Sequence, residues 1–180
     1  MWAREFAEKP SSIFGAPIFG KPVPPMNPLT AEPAATSPPA IAVLDTNVVL
    51  DLLLFRDPGA AALDAALGAG RLRWLTTDAM LDELADVLRR PFAAGWALTP
   101  AEVLAAAHAR CERTMPAASA APPAPRCTDP DDQKFIDLAC ALPAAWLFSR
   151  DRALLRLARA AQPRGVRVLT PARWAALQPA

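Results

Sequence analysis

The sequence predicts an α/β fold built on a doubly wound parallel sheet. Short, continuous apolar runs alternate along the chain with amphipathic stretches of helical period. Within the runs polarity does not alternate, so the strands they predict are buried on both faces, as in parallel sheets covered by helices. Because strands follow helices in regular alternation, we expect a doubly wound sheet, with binding sites beyond the carboxyl ends of its strands.

Four apolar runs predict the strands, and helical patterns fill the segments between them. The predicted strands cover residues 41–44, 72–75, 145–148 and 166–169. The predicted helices cover residues 46–54, 58–68, 77–89, 99–115, 130–142, 151–160 and a closing segment after Thr170 and Pro171. Each predicted strand is therefore followed by one or more predicted helices.

Capping residues and prolines give the bounds of several predicted helices. Thr99 as cap, proline at the next position and Glu102 three residues after the cap form a capping box. Thr77 is a further candidate cap, and Asp129 followed by proline predicts the start of the 130–142 helix. The proline-rich residues 116–126 cannot continue a helix and predict a loop.

The composition predicts one domain and an N-terminal extension. Nine of the 21 prolines fall in the first 40 residues, which contain few large apolar residues. We therefore expect residues 1–39 to be a disordered proline-rich extension and residues 40–180 to form the domain. The first residues lack the pattern of a signal peptide, no segment reaches the roughly 18 apolar residues of a membrane span, and the three cysteines form no C-x-x-C pair. A cytoplasmic protein without membrane contact is predicted.

Four carboxylates stand at strand ends or on the first turns of helices. Asp45 ends the first predicted strand, and Asp151 follows the third by three residues, whereas Glu83 and Asp132 lie near helix starts. Acidic side chains that meet at one edge of a sheet repel one another unless a cation lies between them. Hard oxygen ligands favour Mg²⁺ or Mn²⁺. A zinc site is not predicted, because His108 is the only histidine.

Helical phase separates the acids that could face a shared cleft from those in solvent. The apolar stripe of the 77–89 helix centres near Leu84, so Glu83 lies at its boundary while Asp82 and Asp86 lie on the far side. In the 130–142 helix, Asp131 and Asp132 both flank the apolar stripe. Asp137, in the same helix, is predicted to face solvent.

The charge is distributed unevenly along the chain. The net charge is only +1, yet residues 141–180 contain seven arginines and a single acid, Asp151. An acidic pocket beside a basic flank suits a polyanionic substrate, whose phosphates the arginines would hold. The alternative is that these arginines only make an alanine-rich surface soluble.

Four short motifs contain the candidate acids: LDTN at 44–47, LDEL at 81–84, DPDDQKF at 129–135 and FSRD at 148–151. In this order they resemble the motifs of the PIN-domain nucleases over residues 41–175, and they are similar to those of toxins of the VapC type. The resemblance implies a three-layer α/β/α sandwich and Mg²⁺- or Mn²⁺-dependent endoribonuclease activity that leaves 5′-phosphate and 3′-hydroxyl ends. As partners it implies an RNA substrate, an antitoxin protein that inserts into the acidic pocket, and a possible homodimer.

The resemblance also implies the residues of the site. The catalytic and metal-binding acids would be Asp45, Glu83, Asp132 and Asp151, with Asn47, Ser149 and Asp131 in support. Ser149 stands where the family motif usually has threonine, so the hydroxyl is kept and the methyl is lost. Our hypothesis is that Asp45 and Asp151 bind the principal metal, whereas Glu83 and Asp132 hold a second metal or bind through water.

Three other interpretations remain open from the sequence. A catalytically inactive RNA-binding or regulatory module would keep the acids without cleaving. A Mg²⁺-dependent phosphohydrolase would use a similar acidic rim, but two aspartates two residues apart do not follow the first strand. A receiver-like domain would need a lysine after a late strand, and Lys134 is the only lysine beyond Lys21.

Overall fold

The computed structural model describes residues 38–90, 97–115, 123–143 and 145–178. The prediction of a disordered extension concerns residues that, apart from 38 and 39, lie outside these ranges. Much of the predicted loop at 116–126 lies outside them too, and residues 123–126 form no regular structure.

The centre of the domain is a five-stranded, entirely parallel sheet. Its strands are β1 (Ala40–Leu44), β2 (Leu72–Thr76), β3 (Cys111–Arg113), β4 (Ala145–Phe148) and β5 (Arg167–Leu169). They lie in the order β3-β2-β1-β4-β5, so the chain builds the sheet outward from β1 in both directions. The predicted doubly wound α/β fold is confirmed.

Eight α-helices within the described ranges connect and cover the strands. They are α1 (Thr46–Leu50), α2 (Ala61–Gly68), α3 (Asp78–Leu88), α4 (Pro100–Arg110), α5 (Gln133–Ala141), α6 (Arg152–Leu155), α7 (Ala158–Ala161) and α8 (Pro171–Ala175). A π-helical turn, Asp51–Phe55, extends α1, and 3₁₀ turns at Pro58–Ala60 and Gln162–Arg164 precede α2 and follow α7. The predicted capping box is present, since Thr99 and Glu102 each bond the other's backbone N–H.

The sequence prediction was wrong about the end of the 99–115 helix. The helix ends at Arg110, and the next three residues form the edge strand β3, in which Cys111 pairs with Trp74 of β2. The segment has no apolar run, so pattern alone does not indicate a strand. Its pairing is supported across the sheet by an ion pair between Arg73 and Glu112.

Two further helix bounds differ from those predicted. The 130–142 helix begins only at Gln133, because the Asp129 side chain accepts a hydrogen bond from the Asp131 N–H at 3.0 Å and closes a local turn first. Asp132 is therefore the N-cap residue. The predicted 151–160 helix is divided into α6 and α7 by a turn at residues 156–157.

The core lies on both faces of the sheet, which gives the three layers of an α/β/α sandwich. Alternate residues of β1 point to opposite faces, Leu44 into one core cluster and Val43 into the other. Helices α1 to α4 and α8 cover the first face, and α5 to α7 cover the second. Within the described ranges, none of the helices combines the length and apolarity needed to cross a membrane.

Candidate active site

Asp45 ends β1 at the centre of the sheet, and only 3% of its surface is exposed. Its Oδ2 accepts hydrogen bonds from Ser149 Oγ and Asn47 Nδ2, each at 2.5 Å. Both donors are neutral. Burial raises the pKa of Asp45 despite these hydrogen bonds, and the charge of Glu83 raises it further.

Residues 149–151 follow the carboxyl end of β4 and lie next to Asp45. Ser149 is fully buried, and its N–H donates to the Leu169 carbonyl of β5 at 3.2 Å. The Asp151 N–H donates to Ser149 Oγ at 2.9 Å, and the Arg150 N–H donates to Asn47 Oδ1 at 3.1 Å. The ends of β1 and β4 are thus joined by side-chain hydrogen bonds as well as by the sheet ladder.

Asp151 is exposed and caps α6. Its Oδ1 accepts a hydrogen bond from the Ala153 N–H at 2.5 Å. Its carboxylate contributes to the field at the site, because it is among the charges that raise the pKa of Asp132.

Glu83 reaches the site from α3 and contacts two other segments. Thr46 Oγ1 donates a hydrogen bond to Glu83 Oε1 at 2.6 Å, and the Lys134 ammonium forms an ion pair with Glu83 Oε2. Glu83 is partly buried whereas Asp82 and Asp86 are exposed, so the orientation predicted from helical phase is confirmed. Asp137 is exposed, as predicted.

The pKa of Asp132 depends on the charges of several other acids at the site. Partial burial raises its pKa to about 7, and the negative charges of Asp45, Asp151, Asp129 and Glu83, in decreasing order, contribute to the increase. The other three acids predicted for the site therefore lie close enough for their charges to act on Asp132. Asp131 is exposed, and its carbonyl accepts a hydrogen bond from Lys134 Nζ at 2.5 Å.

The ligand atoms available at this edge are of the type that a hard divalent cation prefers. They are carboxylate oxygens, and a cation among them would relieve the repulsion that raises the pKa of Asp132. Over the ranges that the structure describes, no three His, Cys, Asp or Glu side chains are already gathered as a metal-binding group. The carboxylates thus stand close enough to repel one another without forming a closed set of ligands.

The sequence prediction missed the pairing of two basic residues and the presence of two acids beside this edge. Asp51 is 5% exposed, and both of its oxygens accept hydrogen bonds from Arg150 Nη1 at 2.9 Å. Asp57 lies 3.6 Å from the same nitrogen. The second basic residue is Lys134, which pairs with Glu83. A signal for Asp51 was present, since an acid within the apolar residues 48–54 needs a partner when that segment is buried.

An α/β/α sandwich with mutually repelling carboxylates at the carboxyl edge of its parallel sheet is typical of nucleases that work through an acidic site. More specifically, the chain belongs to the PIN domain family, whose model matches residues 42–153 of the 180. Members of this family are in general nucleases that bind nucleic acid and use divalent metals. Among curated proteins, none matches the chain.

Proposed function

We propose that this PIN domain is a Mg²⁺- or Mn²⁺-dependent endoribonuclease that acts in the cytoplasm as the toxin component of a toxin-antitoxin pair. The observation that carries the proposal is that Asp45 and Asp151 follow the carboxyl ends of neighbouring parallel strands, close to Asp132, whose pKa is raised to about 7 by burial and by the charges of the nearby acids. A protein that keeps such a cluster at a sheet edge bears an electrostatic cost, which binding of a cation would offset.

The acids that would surround the ion are Asp45, Glu83, Asp132 and Asp151. When bound, the ion would lower the pKa of a water molecule and neutralise charge on the leaving oxygen of a phosphodiester. Ser149 and Asn47 fix the carboxylate of Asp45 through their hydrogen bonds, which limits the rotation of that ligand. The burial of Asp45 excludes water from one side of the site.

The basic residues near Asp151 support a polyanionic substrate. Arg152 and Arg156 are exposed at the two ends of α6, directly after the acid. Guanidinium groups in this position can hold the phosphates on either side of a scissile bond. RNA is the substrate that the resemblance to VapC-type toxins implies.

The cleavage test compares wild type with Asp45→Asn on single-stranded RNA in the presence of Mn²⁺. We expect wild type to cleave, EDTA to stop it, and Asp45→Asn to lose at least about 100-fold in rate, since a ligand is removed and not merely a supporting residue. Asp82→Asn is the matched control, because it removes an exposed acid next to Glu83 and should cleave like wild type. Equal rates for wild type and Asp45→Asn would refute the site.

The same assay also tests whether RNA or DNA is the preferred substrate. A DNA strand of identical sequence should be cleaved much more slowly than the RNA. RNA binding without any Mn²⁺-dependent cleavage would instead support the inactive RNA-binding module.

The toxin role is tested in cells. Expression of wild type in a bacterial host should arrest growth, Asp45→Asn should not, and co-expression of the protein from the adjoining reading frame should restore growth. An antitoxin of this kind would insert a basic segment, such as an arginine, into the acidic pocket, and the complex could contain two copies of the chain. Normal growth with an active nuclease would remove the toxin role alone.

A further inference from the structure

Lys134 is a fixed positive charge at the edge of the acidic site. It is the only lysine in the part of the chain that the structure describes. Its ammonium pairs with Glu83, donates to the Asp131 carbonyl at 2.5 Å and lies 5.2 Å from the centre of the Phe135 ring. These three contacts and its position in the first turn of α5 hold the group in place.

Glu83 is engaged on both of its oxygens. Thr46 donates to one oxygen at 2.6 Å, and Lys134 pairs with the other. The side chains of Glu83 and Lys134 are 26% and 28% exposed, so the pair is partly shielded from solvent. The negative charge of Glu83 therefore has a counter-charge supplied by the protein itself.

Within the described ranges, the ion pairs of the site include Glu83 but not Asp45, Asp132 or Asp151. After burial, the causes that raise the pKa of Asp132 are the negative charges of Asp45, Asp151, Asp129 and Glu83. The hydrogen bonds to Asp45 come from the neutral Ser149 and Asn47. The demand for positive charge is thus concentrated on Asp45, Asp132 and Asp151.

We propose that Lys134 takes the place of a second metal ion, so that the site binds one divalent cation through Asp45, Asp132 and Asp151 while Glu83 stays paired with lysine. A divalent ion bound at Glu83 would have to displace the ammonium or lie beside it, and like charges at such separation repel strongly in a partly buried site. This inference rests on the proposed metal-dependent function and fixes the number of ions in it.

The experiment counts the Mn²⁺ ions bound by the full chain, using electron paramagnetic resonance of free Mn²⁺ during a titration. Wild type should bind one ion. Lys134→Met should bind two, the second at the released Glu83, whereas Lys134→Arg should bind one because the positive charge is kept. Two ions in wild type, or one in Lys134→Met, would overturn the inference.

A double variant covers the case in which Lys134→Met fails to fold. Lys134→Met combined with Glu83→Gln removes both members of the pair and leaves no unbalanced charge, so it should bind one ion with an affinity within about tenfold of wild type. Loss of that ion would mean that Glu83 is a ligand, and the inference would be wrong.

A control and a separate outcome complete the design. Arg89→Met breaks an exposed ion pair with Asp86 at the end of α3 and should leave the count at one. A wild-type protein that binds no Mn²⁺ at all would overturn the proposed function together with this inference, whereas two ions in wild type would overturn the inference alone.

Discussion

Two buried aspartates six residues apart, Asp45 and Asp51, have opposite electrostatic surroundings. They are 3% and 5% exposed, and each accepts two side-chain hydrogen bonds. The donors to Asp45 are a hydroxyl and an amide, whereas both bonds to Asp51 come from the guanidinium of Arg150. In the part of the chain that the structure describes, a cation therefore pairs with Asp51 but not with Asp45.

The same short segment serves both carboxylates. Ser149 bonds Asp45 and the next residue, Arg150, bonds Asp51. The carboxylate of Asp51 raises the pKa of Arg150, first through the hydrogen bonds and then through its charge. A buried acid paired in this way supports the structure, whereas a buried acid held only by neutral donors is suited to binding a cation from solution.

The largest effect should come from removing the partner of Asp51. Arg150→Met leaves a buried carboxylate without a counter-charge and should lower the free energy of unfolding by about 2 kcal/mol, a value below that of a fully buried pair because Arg150 is half exposed. Asp45→Asn removes a charge that has no counter-charge, so it should leave the stability of the metal-free protein unchanged or increase it. Urea unfolding at pH 7.5 measures both, and equal losses would break the comparison.

A somewhat smaller effect is expected from the neutral donors of Asp45. Ser149→Ala removes a hydroxyl that donates to Asp45 and accepts the Asp151 N–H, so the affinity for Mn²⁺ should fall about tenfold. Ser149→Thr keeps the hydroxyl and should retain the affinity. Calorimetric titration distinguishes the two variants, and an unchanged affinity in Ser149→Ala would show that the hydrogen bond does not orient the ligand.

The smallest effect concerns the dependence of stability on pH. The pKa of Asp132 is about 7 in the folded protein against an ordinary 3.8. Between about pH 4 and 7 the folded state therefore retains a proton that the unfolded state has released, so stability decreases as the pH rises through this window. Because Asp132 is only partly buried, we expect a decrease of at most about 1 kcal/mol.

Asp132→Asn should remove this decrease in stability. The quantity to measure is therefore the change in stability with pH, compared between wild type and the variant. Thermal unfolding at pH 5 and pH 7.5 without metal gives that difference, and other titrating groups cancel. Saturating Mn²⁺ at pH 7.5 should stabilise wild type more than the variant. Identical pH dependence in the two proteins would mean that burial and the neighbouring charges do not raise the pKa of Asp132.

The elements that sequence predicted well are those in which local pattern and tertiary environment agree. The apolar runs, two of which contain an arginine, predicted β1, β2, β4 and β5, and Asp45 follows the carboxyl end of β1 as expected. Helical phase gave the orientation of Glu83. Its role and those of Asp45, Asp132 and Asp151 remain predictions.

The features that sequence did not predict depend on contacts between distant segments. Strand β3 has no apolar run and forms because β2 offers an open edge. Arg150 pairs with Asp51 across 99 positions of the chain, and Lys134 pairs with Glu83 across 51 positions. A sequence pattern does not indicate which basic side chain will pair with which acid. The later start of α5 arises from a side-chain turn at Asp129 that competes with helix formation.

The hydrogen bond from Ser149 to Asp45 joins residues 104 positions apart, and the backbone of Ser149 is itself held by Leu169. The chain must therefore be synthesised at least as far as Leu169 before this pocket can assemble, because a parallel strand pairs with its neighbour only after a crossover connection has been made. Translation products that stop before Leu169 lack the backbone contact that holds Ser149 in place. The surroundings of Asp45 are thus completed by residues that are translated more than a hundred positions after it.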